Sequence, residues 1–146
     1  MTKTNLYPSF VFAVAFFLWS CGSDDNIVPN AHVDIKINTN YPDYSALQNP
    51  GGWVYVTGGV NGIFVYNFDN QTYFAYDRAC TCNPNDAPLV YDEKTHELCH
   101  ADTVKNCNSR YSVMMHGAVS GGDAKYALRR YDVVSMGGML RITSYY

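Results

Sequence analysis

The stretch "WVYVTGGVNGIFVYNFDNQTYFAYD", Trp53 to Asp77, decides the fold class of this chain. It contains three short runs of β-branched and aromatic residues, WVYVT, IFVYNF and TYFAYD, which are separated by the turns GGVNG and DNQ. Residues of these types favour strands, and turns this short connect antiparallel neighbours. The stretch therefore predicts a three-stranded antiparallel meander.

The remainder of the chain from residue 33 shows the same alternation with a period of two. VDIKINT (33–39) predicts a first strand, and APLVYD (87–92) with HELCHA (96–101) predicts a hairpin that turns at residues 93–95. RYSVMM (110–115) predicts a further strand, and the tail (127–144) predicts a hairpin that turns at residues 136–138. Residues 41–52 are expected to form a loop with a possible helical turn at 45–48. No long segment after the N-terminus has a helical period of 3.6, so we expect an all-β domain.

The N-terminus has the layout of a bacterial export signal. Lys3 precedes the apolar run FVFAVAFFLW (10–19), and Ser20 and Cys21 follow directly. This run is too short to span a hydrocarbon core, which needs about 20 apolar residues. "LWSC" resembles a lipobox, which implies that residues 1–20 are a signal peptide and that Cys21 is acylated as the mature N-terminus. An ordinary secreted chain that is cleaved elsewhere is the alternative.

Residues 21–31 predict a flexible tether between this lipid anchor and a domain at residues 32–146. The segment GSDDNIVPN is polar, acidic and contains proline. Its Asp24-Asp25 pair resembles the acidic tag that sends some Bacteroidetes lipoproteins to the cell surface, although ordinary linker solvation explains it equally well. We expect an outer-membrane lipoprotein that faces either the periplasm or the exterior, with membrane contact through lipid.

The charge and motif content exclude two classes of function. The chain carries 10 Lys and Arg against 13 Asp and Glu, so it lacks the excess of positive charge that binding to nucleic acid requires. The single adjacent basic pair, Arg129-Arg130, is typical of a solvated strand face. No Ser/His/Asp set or carboxylate pair stands out, and GGVNG predicts a hairpin turn rather than a phosphate-binding loop. We therefore expect no enzyme.

Cysteine and histidine residues are the chemistry-bearing groups of the domain. They are Cys80, Cys82, Cys99, Cys107, His32, His96, His100 and His116. An even number of thiols outside the cytosol favours disulfides, with three possible pairings, while a zinc site, an iron-sulfur site or a redox-active Cys80-x-Cys82 pair remain open. His32, His96 and His116 are expected at the surface, whereas His100 adjoins Cys99 and has a better chance of facing a site.

The order of sequence blocks resembles that of a known family. A Gly-Gly-led strand, FAYDRAC, a polar loop with APL, a second cysteine loop, SRYS and GAVSGGDAKYALRRYDV follow one another between residues 50 and 142. This order is similar to that of Rieske iron-sulfur proteins, and especially of Rieske-type lipoproteins of Bacteroidetes. The resemblance implies a small antiparallel β-sandwich or barrel with a two-loop subdomain of the cluster-binding type.

The resemblance also predicts an altered ligand set. The family holds a [2Fe-2S] cluster through Cys-x-His in one loop and Cys-x-x-His in the other. Cys80 matches the first thiolate, but Cys82 stands where the family has histidine. In the second loop, two alignments are possible. Either Cys107 occupies the histidine position and Val104 the thiolate position, or Cys107 occupies the thiolate position and Arg110 stands where histidine is needed. We therefore do not expect an ordinary Rieske centre.

Two uses of these cysteines follow from the resemblance. Because the family brings its two loop tips together, it implies a Cys82–Cys107 disulfide with Cys80–Cys99 as the second pair, and Cys80–Cys107 as a rival. Alternatively, Cys80, Cys82 and Cys107, with Cys99 or His100, could hold an atypical [2Fe-2S] cluster. The leading hypothesis is a binding or structural envelope protein with an unknown protein partner. The alternatives are an electron carrier and a thiol-disulfide protein.

Overall fold

Residues 28–101 and 107–145 are described by a computed structural model and are built almost entirely of antiparallel strands. The strands are β1 Asp34–Asn38, β2 Trp53–Val56, β3 Ile63–Asn67, β4 Tyr73–Asp77, β5 Val90–Asp92, β6 Glu97–Cys99, β7 Arg110–Ser112, β8 Ala118–Gly121, β9 Arg130–Met136 and β10 Met139–Thr143. A 3-10 helix, Pro42–Gln48, lies between β1 and β2. The prediction of an all-β domain is confirmed. The predicted signal peptide, the acylated Cys21 and the tether up to residue 27 lie outside the described residues.

The strands form two antiparallel sheets. The larger sheet has six strands in the order β1-β10-β9-β4-β3-β2, and the smaller has four in the order β5-β6-β7-β8. The smaller sheet is inserted in the chain between β4 and β9, which are neighbours in the larger sheet. Two loops of this insertion, β4–β5 and β6–β7, carry Cys80, Cys82 and Cys107, while Cys99 is the last residue of β6. The predicted division into a β base and a two-loop subdomain is therefore present.

The apolar core has two parts. One cluster fills the larger sheet and includes Leu47, Ile63, Val65, Leu140 and Ile142, all of which are fully buried. The second cluster joins the two sheets, because it combines aromatic residues of β3 and β4 with apolar residues of the smaller sheet. Its buried members are Phe64, Tyr66, Tyr76, Cys80, Leu89, Leu98, Cys107, Tyr111, Val113 and Leu128. Cys80 and Cys107 thus belong to the core that holds the subdomain on the base.

Most predicted strand pairings are present. β2, β3 and β4 form the predicted meander, with Trp53 opposite Tyr66 and Phe64 opposite Tyr76. The hairpins turn at residues 93–96 and at Gly137–Gly138, as expected. The strand predicted at 110–115 is shorter, since the chain turns after Ser112 and reaches positive φ at His116 and Gly117. Strand β8 was not predicted, and the helical turn is longer than expected.

Asn67 attaches the 3-10 helix to the larger sheet. Its side chain is fully buried at the end of β3, and its Nδ2 donates to the Leu47 carbonyl at 2.9 Å. Its Oδ1 accepts from the backbone N–H of Asn70 at 2.7 Å, so the same side chain also shapes the β3–β4 turn. A buried amide satisfied in this way fixes two connections at once. Among the described residues, no helix is both long and apolar enough to cross a membrane.

Candidate thiol and imidazole site

The β4–β5 and β6–β7 loops meet through two buried cysteines. Cys80 lies three residues after the end of β4, and Cys107 lies three residues before β7. Their Sγ atoms are 3.3 Å apart, and the residues are 0% and 2% exposed. A disulfide requires a separation of about 2.05 Å, so the pair lies as two thiols in near contact. The sulfurs in contact are those of Cys80 and Cys107, the pairing that the sequence resemblance gave as the rival to Cys82–Cys107.

Tyr111 of β7 holds the first loop against the second sheet. Its hydroxyl lies 3.3 Å from Cys80 Sγ, 2.9 Å from Thr81 Oγ1 and 3.1 Å from the Thr81 backbone nitrogen, whose N–H donates to it. Thr81 Oγ1 in turn donates to the Tyr126 carbonyl at 2.7 Å. Burial, and next the contact with Cys80, raise the pKa of Tyr111, so its hydroxyl keeps its proton at neutral pH. A protonated hydroxyl beside Cys80 can donate to the sulfur.

Cys107 and the backbone at Cys82 complete the polar surroundings of the two sulfurs. Cys107 Sγ lies 2.7 Å from Ser109 Oγ, which also accepts from the backbone N–H of Ala124 at 3.0 Å. The N–H of Cys82 points at Cys80 Sγ at 3.4 Å. Both sulfurs thus lie among polar groups that can form hydrogen bonds with them.

His100 joins the two cysteines as a third possible ligand. One of its ring nitrogens and the two Sγ atoms all lie within 4.8 Å of one another. Both ring nitrogens are buried, and neither has a hydrogen-bond partner among the described residues. Leaving a buried polar group without a partner costs about 1–3 kcal/mol. The group Cys80, His100 and Cys107 is thus the part of the described chain suited to hold a metal or a cluster.

Cys82 and Cys99 lie apart from this group. Cys82 is exposed, although it is two residues from Cys80, and Cys99 is half-buried at the end of β6. Cys99 lines a cleft of about 320 Å³ together with His100, Cys107 and Arg110. The geometry favours Cys80–Cys107 over the other pairings, and the Cys82–Cys107 and Cys80–Cys99 bridges stay predictions.

The other histidines and Arg110 have ordinary structural roles. His96 and His116 adopt φ of 55° and 56° in turns, and His96 Nδ1 lies 2.8 Å from the Tyr91 hydroxyl. His32 is exposed before β1. Arg110 stands at the histidine position of the family if Cys107 is aligned with its thiolate. Its side chain forms an ion pair with Glu97 at 3.1 Å.

Arg78, the cation nearest to the Cys80-x-Cys82 pair in sequence, is directed elsewhere. Its Nε donates to the Leu89 carbonyl at 2.7 Å, and its guanidinium lies 3.7 Å from the centre of the Tyr55 ring. Burial lowers its pKa, but a guanidinium remains charged at neutral pH. With these contacts its charge stabilises the loop rather than a thiolate.

Asp77, which the sequence did not single out, organises the base of the first loop. This fully buried carboxylate at the end of β4 accepts four hydrogen bonds. The donors are the backbone N–H groups of Val60 (2.7 Å), Asn61 (3.2 Å) and Ala79 (2.8 Å) and the hydroxyl of Tyr131 (2.7 Å). Gly59 has φ of 64°, and a Cβ there would collide with Asp77 Oδ2, so glycine is required at this turn. A lone Asp in a strand run was the only available signal for this role.

Asn61 extends this network into the loop that contains the cysteines. Its Nδ2 donates to the carbonyls of Pro84 and Asp86, at 2.9 and 3.0 Å. Ser109 and Tyr111 were also missed as site residues, although both lie in the quoted SRYS stretch. The loop is therefore positioned by side chains outside any metal-ligand motif.

No family model matches the chain, and no curated protein shows significant sequence similarity to it. Among solved structures, the chain is similar to the ferredoxin of carbazole 1,9a-dioxygenase from Nocardioides aromaticivorans IC177. That match has 17% identity and a TM-score of 0.48, and it covers 80% of this chain and 100% of the other. Such identity says nothing about cofactor or activity.

Proposed function

We propose that this chain is a lipid-anchored envelope protein whose Rieske-like domain acts as a non-enzymatic binding or structural module. In this proposal, a Cys80–Cys107 disulfide joins the two loops that would hold the cluster in a Rieske protein. The observation that carries it is the 3.3 Å separation of two buried sulfurs on those loops. The inserted four-stranded sheet that presents the loops supports the assignment of the domain as Rieske-like. The partner would be another envelope protein, and the membrane contact would be lipid at Cys21.

Formation of the bridge needs little movement. The sulfurs must approach by about 1.3 Å to reach disulfide bonding distance. The two thiols lose two protons and two electrons, and a disulfide-donating oxidant of the envelope accepts the electrons through a mixed disulfide. The hydroxyl of Tyr111 and the backbone nitrogen of Cys82 lie 3.3 and 3.4 Å from Cys80 Sγ, and a thiolate is the attacking species in such an exchange.

A [2Fe-2S] cluster fits the described residues only in part. The cluster takes four protein ligands, whereas residues 28–101 and 107–145 bring three together, namely Cys80, His100 and Cys107. Two thiolates and one imidazole are nevertheless suitable donors for iron. The second candidate function is therefore an electron carrier with an atypical ligand set, and it rests on this group.

Iron content and thiol content separate the two candidates. The full chain is purified anaerobically, and its iron stoichiometry, visible spectrum and paramagnetic resonance spectrum are recorded. The disulfide module should contain no stoichiometric iron, and air-oxidised protein should yield a cross-linked peptide that contains Cys80 and Cys107. Two irons per chain with sulfur-to-iron charge-transfer bands would establish the electron carrier instead. A bridge that maps to Cys82 would refute the loop geometry proposed here.

A further inference from the structure

The two ring nitrogens of the half-buried His100 are buried in a way that the disulfide leaves unexplained. Both its ring nitrogens lack solvent contact and a hydrogen-bond partner among the described residues. At least one of these nitrogens is a donor in any tautomer, and burying it alone is unfavourable. Its ligand nitrogen lies within 4.8 Å of both sulfurs, so a metal ion between the three atoms would satisfy it.

We propose that Cys80, Cys107 and His100 form a mononuclear zinc site when the two thiols are reduced. Three protein ligands with a fourth open position are a known arrangement for Zn²⁺, and two thiolates with one imidazole are ligands that it prefers. Two thiols lose two protons on binding, so two thiolates neutralise the dication. A neutral complex suits a site whose two cysteines are buried, because an uncompensated charge there would be costly.

The geometry requires a small opening of the thiol pair. Sulfur ligands about 2.3 Å from a tetrahedral zinc lie about 3.8 Å apart. The two sulfurs, at 3.3 Å, would therefore separate by about 0.5 Å to admit the ion. Tyr111 and Ser109 already contact the two sulfurs at 3.3 and 2.7 Å, and such outer contacts orient thiolate ligands.

Within residues 28–101 and 107–145, the side left open for a fourth ligand borders a cleft. The cleft of about 320 Å³ is lined by His100 and Cys107, two of the three ligands, and by the polar residues Asn108, Ser109 and Arg110. Water or a small anion can therefore complete the coordination shell from this side. A fully enclosed ion would instead need a fourth protein ligand.

This inference rests on the same thiol pair as the proposed function, but on its reduced state. Zinc and the disulfide exclude each other, because each needs both sulfurs. Oxidation should consequently release the ion: the sulfurs form one bond, their two electrons pass to a disulfide such as oxidised glutathione, and Zn²⁺ leaves. The site would then respond to the redox state of the compartment.

Cobalt titration tests the site directly. The full chain is reduced, desalted anaerobically and titrated with Co²⁺, and Zn²⁺ is then added as a competitor. We expect one equivalent of Co²⁺ with thiolate-to-cobalt charge-transfer bands, which Zn²⁺ abolishes. Cys80→Ser, Cys107→Ser and His100→Gln should each weaken binding by more than about 100-fold, since even outer-shell changes cost roughly 10- to 100-fold. Cys82→Ser and His32→Gln are the matched controls and should bind as the wild type does.

Several outcomes overturn the inference. These are the absence of cobalt bands in the reduced wild type, unchanged affinity in His100→Gln, or loss of binding in Cys82→Ser. His100→Gln leaves both sulfurs in place, so it remains informative if a serine variant fails to fold. If cobalt does not bind but oxidation still links Cys80 to Cys107, the zinc site fails and the disulfide module stands. If cobalt binds and no bridge forms, the disulfide module fails and the zinc site stands.

Discussion

Oxidation of the wild-type chain should raise its unfolding temperature by about 15 °C, through the Cys80–Cys107 bridge. The two cysteines are 27 positions apart in sequence. In the chain-entropy model, closing a loop of this length stabilises the fold by about 3.5 kcal/mol at 25 °C. A domain of this size has an unfolding entropy of roughly 0.24 kcal/mol per kelvin, which converts that free energy into about 15 °C.

The assay compares thermal unfolding with and without a thiol reductant, followed by circular dichroism. Cys80→Ser and Cys107→Ser should each abolish the difference between the two conditions. Cys82→Ser and Cys99→Ser should retain it, and because Cys82 lies in the same loop as Cys80, it is a close control. The difference within each variant is the measured quantity, so the intrinsic cost of each substitution cancels. Chelator is present throughout to exclude metal.

The result that would refute this reasoning is a redox-dependent shift that survives in Cys80→Ser and disappears in Cys82→Ser. That outcome would show that Cys82 turns inward to meet Cys107, as the sequence resemblance had favoured. A wild type without any shift would show that the buried thiols do not oxidise, and the disulfide module would then be wrong.

Three further predictions concern the supporting residues and the anchor. Asp77→Asn should destabilise the domain by about 3 kcal/mol in urea unfolding, because an amide nitrogen would face buried donors. The control Asp43→Asn at the surface should have little effect. Equally small losses of stability in the two variants would contradict the role of Asp77. Burial raises the pKa of Tyr76, Tyr111 and Tyr131 above the ordinary 10.0. Their contribution to stability should therefore be constant below about pH 10 and fall above it, when only the unfolded chain releases these protons. Each contributes about 1.4 kcal/mol per pH unit, and a slope that Tyr131→Phe leaves unchanged would contradict this assignment. Cys21→Ser should move the protein from the membrane fraction to the soluble fraction and abolish labelling with a fatty acid, and continued membrane association would argue against the lipid anchor.

The strands were predictable where their residue types favour strands. The meander from Trp53 to Asp77 is rich in β-branched and aromatic residues, and its turns are marked by glycine or by Asp and Asn. Strand β8 lacks such a signal, since AVSG at 118–121 consists mostly of small residues. It exists because it pairs with β7, where the register shifts between Arg110 and Tyr111. Long-range pairing of this kind leaves no local pattern.

The residues of the candidate site were among those named from the sequence, but their geometry was not predictable. Cys80, Cys107 and His100 were all named from thiol counting, the family resemblance and the adjacency of His100 to Cys99. Which cysteine of the Cys80-x-Cys82 pair turns inward depends on contacts made by Thr81 and Tyr111. Tyr111 is 30 positions away from Thr81 in sequence, so no short motif could reveal it.

The first cysteine loop has polar support besides its cysteines. Asp77 and Asn61 fix the first loop through backbone donors and carbonyls, and Tyr111 fastens it to β7. In a site held by metal alone, loss of one ligand would release both loops. Here the first loop is also held by hydrogen bonds from Asn61 and to Tyr111, which would remain if one thiol were lost. Polar support of this kind would keep the two thiols close together whether they form a bridge or hold a metal.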